Sequence, residues 1–284
     1  MIKLIRPWQW TKNGLLFAAL VFAGEIRNVA KFEISVVAAL LFCLLSSALY
    51  AINDVIDRET DGRHPVKRNR PVASGAVSVR LALLLAVGLL AVGLGGAWMV
   101  NRAFFVSALA FVGLNLLYTL ALKRIVIIDV ITVAISFVIR AAAGAAAIDV
   151  PASDWMLMNT LLLALFLTFG KRRHELVLLE QGAQQHRKSL AGYSAYLLDQ
   201  MIAVTTPSVL VVYMLYTFSS EVSEKLGTDK LYLTIPFVVY GIFRYLFLIH
   251  EKDKGGSPVR VLLTDVPILV TVVLWLVTTI LILY

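Results

Sequence analysis

Cysteine is almost absent. The chain of 284 residues has one, Cys43, inside an apolar run, which excludes a disulfide framework and a cysteine-built metal site. Charge is scarce as well: 15% of residues are Asp, Glu, Lys or Arg, against 60% hydrophobic. A soluble chain of this size would carry about 25% charge. No soluble domain, low-complexity tract or short-period repeat interrupts the apolar background, no cleavable signal peptide is convincing, and no Ser/His/Asp or Cys/His constellation is evident. The net charge of +8 is read as membrane topology, with no nucleic-acid partner implied.

What is present is a series of apolar runs. A membrane-spanning helix needs about 20 apolar residues. Nine candidates fall near 14–30, 33–53, 80–100, 103–122, 126–147, 155–170, 200–219, 231–249 and 261–283, the first being the weakest. The expected fold is therefore all-α and integral to the bilayer, a single polytopic domain over 1–284. Arg6, Trp8, Gln9, Lys12 and Asn13 form an amphipathic interfacial segment before the first run. With the N-terminus inside, Lys and Arg concentrate on the inner segments, while the outer ones hold only Arg27, Lys31, Arg102, Lys225 and Lys230. This bias predicts a multi-pass protein of a bacterial-type inner membrane, with the two longer polar loops, 54–79 and 171–199, on the cytoplasmic face.

The first of these loops carries the chemistry. Asp54, Asp57 and Asp61 follow an apolar run at spacings i, i+3, i+7, which share one face of a helix. Crowded carboxylates repel unless a cation lies between them. Hard oxygens around a partly hydrated site suit Mg²⁺, which takes one or two carboxylates and completes its shell with water and phosphate. Asn53 adds a neutral oxygen. A solvated helix end explains Glu59 but not three same-face aspartates at the end of a membrane helix. Pro65 and Pro71 then break the helix, and the loop between and around them supplies Arg63, Lys67, Arg68 and Arg70. An acidic helix end followed by a basic loop describes a diphosphate site, in which the metal bridges phosphate oxygens and the cations take the remaining charge.

The pattern N-D-x-x-D-x-x-x-D at 53–61, running into R-x-x-A-x-G at 70–75, resembles the first aspartate-rich motif of the UbiA-type intramembrane prenyltransferase superfamily. The resemblance implies nine transmembrane helices around a central cavity that opens to the cytoplasm and holds a Mg²⁺-bound diphosphate, with Asp54, Asp57 and Asp61 as its catalytic carboxylates. Ordinary members carry a second aspartate-rich motif between helices 6 and 7. Here that region is "GKRRHELVLLEQGAQQHRKSLAGYS", with Lys171, Arg172, Arg173, Arg187 and Lys188, while Glu175 and Glu180 are five apart. On a helix those glutamates diverge by about 140°. The second motif has become basic.

That substitution, with "RPWQWTKN" at 6–13, "GKRRHEL" at 170–176, "RKSLAGYS" at 187–194 and "SFVIRAAAG" at 136–144, is similar to the decaprenyl-phosphate phosphoribosyltransferase branch. The resemblance implies 5-phosphoribosyl 1-diphosphate as donor, a polyprenyl phosphate as acceptor, and a product destined for lipid-linked pentose and cell-wall glycan. Charge fits this: the reactants bring on the order of six negative charges, given a second phosphate pKa near 6. Lys171, Arg172 and Arg173 are candidates for the donor's 5-phosphate or the lipid phosphate. Lys12, which matches the branch motif, Arg140, an intramembrane cation that points to a polar cavity, and Arg187, Lys188 and Tyr193, which closes the basic loop, are further candidates for binding substrate. Asp129 stands too far along its helix to partner Arg140, and Arg244 and Asp265 carry no assignment. Two other readings remain open: prenyl transfer from a polyprenyl diphosphate to an aromatic acceptor on the same fold, and, from a different class, a secondary transporter. Lipid chain length, metal count and oligomeric state are not legible.

Overall fold

Five of the long apolar helices are preceded by a polar residue that caps their first turn. Asn28, Ser78, Asn101, Ser194 and Asp265 each accept a hydrogen bond from the backbone N–H three residues on, at 2.8–3.3 Å. These side chains satisfy donors that a helix otherwise leaves bare. A computed structural model describes residues 2–63, 67–178, 188–252 and 256–284. Among them no strand occurs.

In chain order the helices are α1 (Ile2–Ile5), α2 (Ala18–Phe22), α3 (Val29–Ile56), α4 (Arg58–Arg63), α5 (Val79–Val100), α6 (Arg102–Leu120) and α7 (Ile128–Ala147). They continue with α8 (Asp154–Leu178), α9 (Ala195–Phe218), α10 (Ser220–Leu226), α11 (Ile235–His250), α12 (Pro258–Thr264) and α13 (Val266–Leu283). Among the described residues, seven segments are long and apolar enough to cross a bilayer: α3, α5, α6, α7, α9, Lys230–His250 and α13. The two remaining sequence-predicted runs differ for local reasons. Residues 14–30 fold as the end of a 3-10 helix, Pro7–Phe17, followed by the five-residue α2 and a turn at Gly24 with φ 77°. Residues 155–170 belong to α8, which continues as helix through Lys171, Arg172 and Arg173. The second polar loop therefore begins as the end of a helix, and Ala195 onward is already α9.

The N-terminal 3-10 segment is driven into the bundle. Its Leu16 carbonyl lies so near Gly144 of α7 that a Cβ there would fall 2.1 Å from the oxygen, so only glycine fits. Around it one core joins α3, α5, α6 and α7, centred on Phe42 with Phe104 and Phe111 at 5.5 and 5.0 Å between ring centroids. A second core joins α8, α9 and α11 around Phe166, Leu198, Tyr245 and Leu248. Some contacts between helices are neutral, as where Asn101 donates to the carbonyls of Ala146 and Ala147. Others are ionic. Arg244 grips Asp265 through two contacts of 3.2 and 3.0 Å, which tie α11 to the start of α13 and give both residues a structural role.

Candidate functional site

The charged rim is assembled at the end of α3. Asp54 is buried, with 1% of its surface exposed. Its Oδ1 lies 2.5 Å from Arg6 Nη2 and 3.3 Å from Arg70 Nη1, and the same Arg70 nitrogen lies 2.5 Å from Asp61 Oδ2. Asp54 and Asp61 thus converge on one point. The three aspartates do not, however, share one continuous helical face. The helix ends at Ile56, Asp57 caps it, and α4 restarts at Arg58. The break turns the Asp57 carboxylate away, onto Lys123 Nζ at 2.5 Å. Burial pushes the Asp61 carboxyl above the usual carboxylate range, and Arg70 opposes that shift.

These groups suit a divalent cation of the magnesium kind. Among the described residues the buried Asp54 Oδ2 has no hydrogen-bond partner, a costly arrangement for a carboxylate oxygen unless something else completes it. Among the described residues no three His, Cys, Asp or Glu side chains are grouped closely enough to hold a metal ion alone. One or two carboxylates completed by phosphate oxygens and water is the arrangement Mg²⁺ favours. Asn53 is half-buried beside Asp54, its carbonyl accepting the Asp57 N–H. Of the first basic loop, Arg70 is built into the site, Lys67 is half-buried, and Arg63 and Arg68 are exposed.

The inner wall holds a second group of cations. Arg6 stacks over the Tyr50 ring at 5.0 Å, and Lys12 lies beside the Tyr50 hydroxyl. Arg140 is 5% exposed, and its contacts among the described residues are neutral: Asn13 Oδ1 at 3.0 Å, the Ser136 carbonyl at 2.9 Å and Ser136 Oγ at 2.8 Å. The faces of Phe111 and Phe137 lie 4.5 and 5.2 Å from its guanidinium.

The second basic stretch is different. Arg172 is 1% exposed, with its Nε on Asp129 at 2.9 Å and its Nη1 on Glu175 at 2.5 Å. Arg173 holds Asp199 at 2.5 Å, and Lys171 faces Glu175 at 3.7 Å. Tyr193 directs its hydroxyl at Asp129 and at the backbone of Ile127. Arg187 and the side chain of Lys188 lie outside the described residues, as does Glu180. The sequence alone had counted Arg6 as interfacial and Lys123 only for orientation. Both prove to be partners of the aspartates, 48 and 66 residues away along the chain. Asp129 was the one recognisable signal, since a carboxylate at a membrane-helix end demands a partner. That partner is Arg172, not Arg140.

Known proteins are similar to this chain over nearly its whole length. The sequence profile of the UbiA prenyltransferase family matches residues 14–264. The chain is 34% identical over 284 residues to the decaprenyl-phosphate phosphoribosyltransferase of Mycobacterium tuberculosis, covering 98% of this chain and 92% of that protein. It is 33% identical over 280 residues to the protein of the same name from Corynebacterium glutamicum, covering 97% and 84%. In structure it is similar to a UbiA homolog from Archaeoglobus fulgidus bound to GPP and Mg²⁺, with a TM-score of 0.73 at 19% identity over 99% of this chain and 98% of that one.

Proposed function

This chain belongs to the UbiA prenyltransferase family, and we propose that within it the protein is a pentosyltransferase. It moves the 5-phosphoribosyl group from 5-phosphoribosyl 1-diphosphate to a polyprenyl phosphate of the decaprenyl type and releases diphosphate. The product would feed lipid-linked pentose for cell-wall glycan. The observation that carries this reading over prenyl transfer to an aromatic acceptor is the end of α8. Where a second acidic motif would hold a second metal–diphosphate contact, the end of the helix bears Lys171, Arg172 and Arg173, and the described carboxylate beside them, Glu175, is spent on Arg172 and Lys171. A site with one acidic corner and an excess of cations fits one metal-held diphosphate and a second anion.

In this proposal Asp54 and Asp61 hold Mg²⁺, with Asp57 and Asn53 at the margin, and Arg70, Arg6 and Lys123 carry the charge balance of the donor diphosphate. The ion, when bound, neutralises charge that develops on the departing diphosphate. Arg140 and Lys12, which have no carboxylate partner among the described contacts, are the candidates for a phosphate monoester, whether the donor's 5-phosphate or the lipid phosphate. Lys171, Lys67, Arg63 and Arg68 contribute field at the rim. The lipid phosphate is already ionised near pH 7, so this chain need supply no general base. Its work is to hold two mutually repelling anions within about 3–3.5 Å of reaction. Inversion at C1 of the ribose follows from attack opposite the departing group.

The remaining topology is part of the same proposal. Pro7–Phe22 and α8 complete nine crossings, the N-terminus is cytoplasmic, and the ionic rim opens to the cytoplasm of an inner membrane, as the Lys/Arg bias requires. The test uses purified protein in detergent with Mg²⁺, radiolabelled 5-phosphoribosyl 1-diphosphate and a short polyprenyl phosphate. The expected result is chloroform-soluble label that depends on Mg²⁺ and is lost in Asp54→Asn, with thermal stability retained. Label entering lipid only from a prenyl diphosphate and an aromatic acid would establish the other family reaction instead.

A further inference from the structure

The turn between α6 and α7 touches both charged regions. At its start a short 3-10 turn, Leu122–Arg124, presents Lys123 to Asp57. Three residues later Ile127 has φ 69° and ψ −48°, and the Ile128 N–H donates to the Val126 carbonyl at 2.8 Å. This is a γ-turn of the positive-φ kind, rare and strained for any residue with a Cβ and worse for a β-branched one. Strain of this kind persists only where surrounding contacts over-determine it.

Those contacts come from the second basic stretch. The Tyr193 hydroxyl accepts the Ile127 N–H at 2.7 Å and donates to Asp129 Oδ1 at 2.8 Å. Burial, and after it the contact with Asp129, pushes the phenol well above its ordinary range against the opposing pull of Ile127 and Arg172, so it stays a donor. Asp129 Oδ2 in turn accepts from Arg172 Nε at 2.9 Å and Ser189 Oγ at 3.3 Å. Gly192 lies flat on the turn, where a Cβ would fall 2.4 Å from Val126 Cγ2. The motifs "KRRHE" and "SLAGY" therefore close on residues 126–129, and the far end of that turn carries the lysine that meets the acidic corner.

We propose that Tyr193, backed by Asp129 and Arg172, is a positioning residue: it holds the strained turn at Ile127 and so fixes Lys123 opposite Asp57 at the diphosphate site. The proposal rests on the transferase reading for its kinetic consequence, but not for its geometry. A role confined to core stability predicts a lower melting temperature and nothing selective. A positioning role predicts a selective defect, because Lys123 and Asp57 address the donor and its metal, not the lipid.

The experiment has two arms. In the kinetic arm, Tyr193→Phe should lower kcat/KM for 5-phosphoribosyl 1-diphosphate by about ten-fold, a modest misplacement effect. The loss should lie in the donor KM and in the Mg²⁺ concentration for half-activity, with the acceptor KM unchanged. Adding Ile127→Gly, which adopts positive φ without strain, should restore most of the loss. In the second arm, which needs no activity, a carbodiimide couples Lys123 to Asp57 and peptide mass spectrometry reads the yield. The yield should fall by at least half in Tyr193→Phe and recover in the double variant; Asp129→Asn serves as a second probe with the same expectation. Unchanged coupling in both single variants overturns the proposal, as do equal shifts in both KM values without rescue by glycine. If wild-type protein transfers no label from the donor, the transferase reading fails, and the coupling arm still decides the positioning role.

Discussion

Arg172 and Arg140 are both buried arginines, 1% and 5% exposed, yet they are held in opposite ways. Arg172 lies between two carboxylates, Asp129 and Glu175. Arg140 has neutral oxygens from Asn13 and Ser136 and the faces of two phenylalanines. A guanidinium removed from water is expensive unless paired and hydrogen-bonded. Arg172 meets that condition within the chain, so its charge is consumed in joining α8 to α7. Arg140 meets only half of it, because amide and hydroxyl dipoles and aromatic quadrupoles solvate a cation without neutralising it. In the proposed function its spare charge is what an incoming phosphate would complete. The difference separates architecture from binding in a chain where residue type alone does not.

The sharpest way to break this contrast is to remove each guanidinium. Arg172→Leu leaves Asp129 buried without its cation, and breaking a buried pair costs about 3–5 kcal/mol. The expected outcome is a large fall in folded yield and in melting temperature measured in detergent, with Asp129→Asn/Arg172→Leu recovering part of it. Arg140→Met should do the reverse. Among the described residues it strands Asn13 and Ser136, groups worth about 1–3 kcal/mol if left unsatisfied, and removes a cation that no described carboxylate pairs with. Melting should therefore stay within a few degrees of wild type while kcat/KM for one phosphate substrate falls about 100-fold, the scale of losing a charged contact. Titrating donor and acceptor separately identifies which phosphate Arg140 serves. Equal stability losses in the two variants would erase the distinction.

Much of this was visible in sequence, and the residues that were not share one property. The spans read as 80–100 and 103–122 begin within a residue of α5 and α6, and the acidic and basic segments at 53–70 and 171–173 stand out against an apolar background. Helical spacing failed at Asp57. The i, i+3, i+7 argument assumes an unbroken helix, and nothing in "DVIDRETD" signals the break that hands this carboxylate to Lys123. The Asp129–Arg172 pair spans 43 residues and the Tyr193–Ile127 contact 66, distances over which periodicity says nothing. Basic character near a site identifies a candidate; only the tertiary partners reveal whether the charge is already used. The first apolar run shows the same limit: composition reads 14–30 as an ordinary span, whereas it is the end of a 3-10 segment, with Leu16 against Gly144, followed by a five-residue helix.

Lys171 gives the smallest effect and the finest test of the contrast. Its ammonium stands 3.7 Å from Glu175 Oε1 with 40% of the side chain exposed. Such a pair contributes about 0–1 kcal/mol, so Lys171→Gln should leave melting almost unchanged. Its influence on an anionic substrate then acts through solvent, over a Debye length of about 8 Å at physiological ionic strength. The expected result is a two- to three-fold rise, roughly, in KM for the donor at low salt that vanishes near 1 M, where the screening length is about 3 Å. A directly bonded lysine would behave otherwise, since a desolvated contact resists screening and its loss would persist at every salt concentration. A salt-independent loss of about 50-fold or more, beyond 2 kcal/mol, would move Lys171 from the rim into the binding site and make the end of α8 a ligand surface as well as an architectural one.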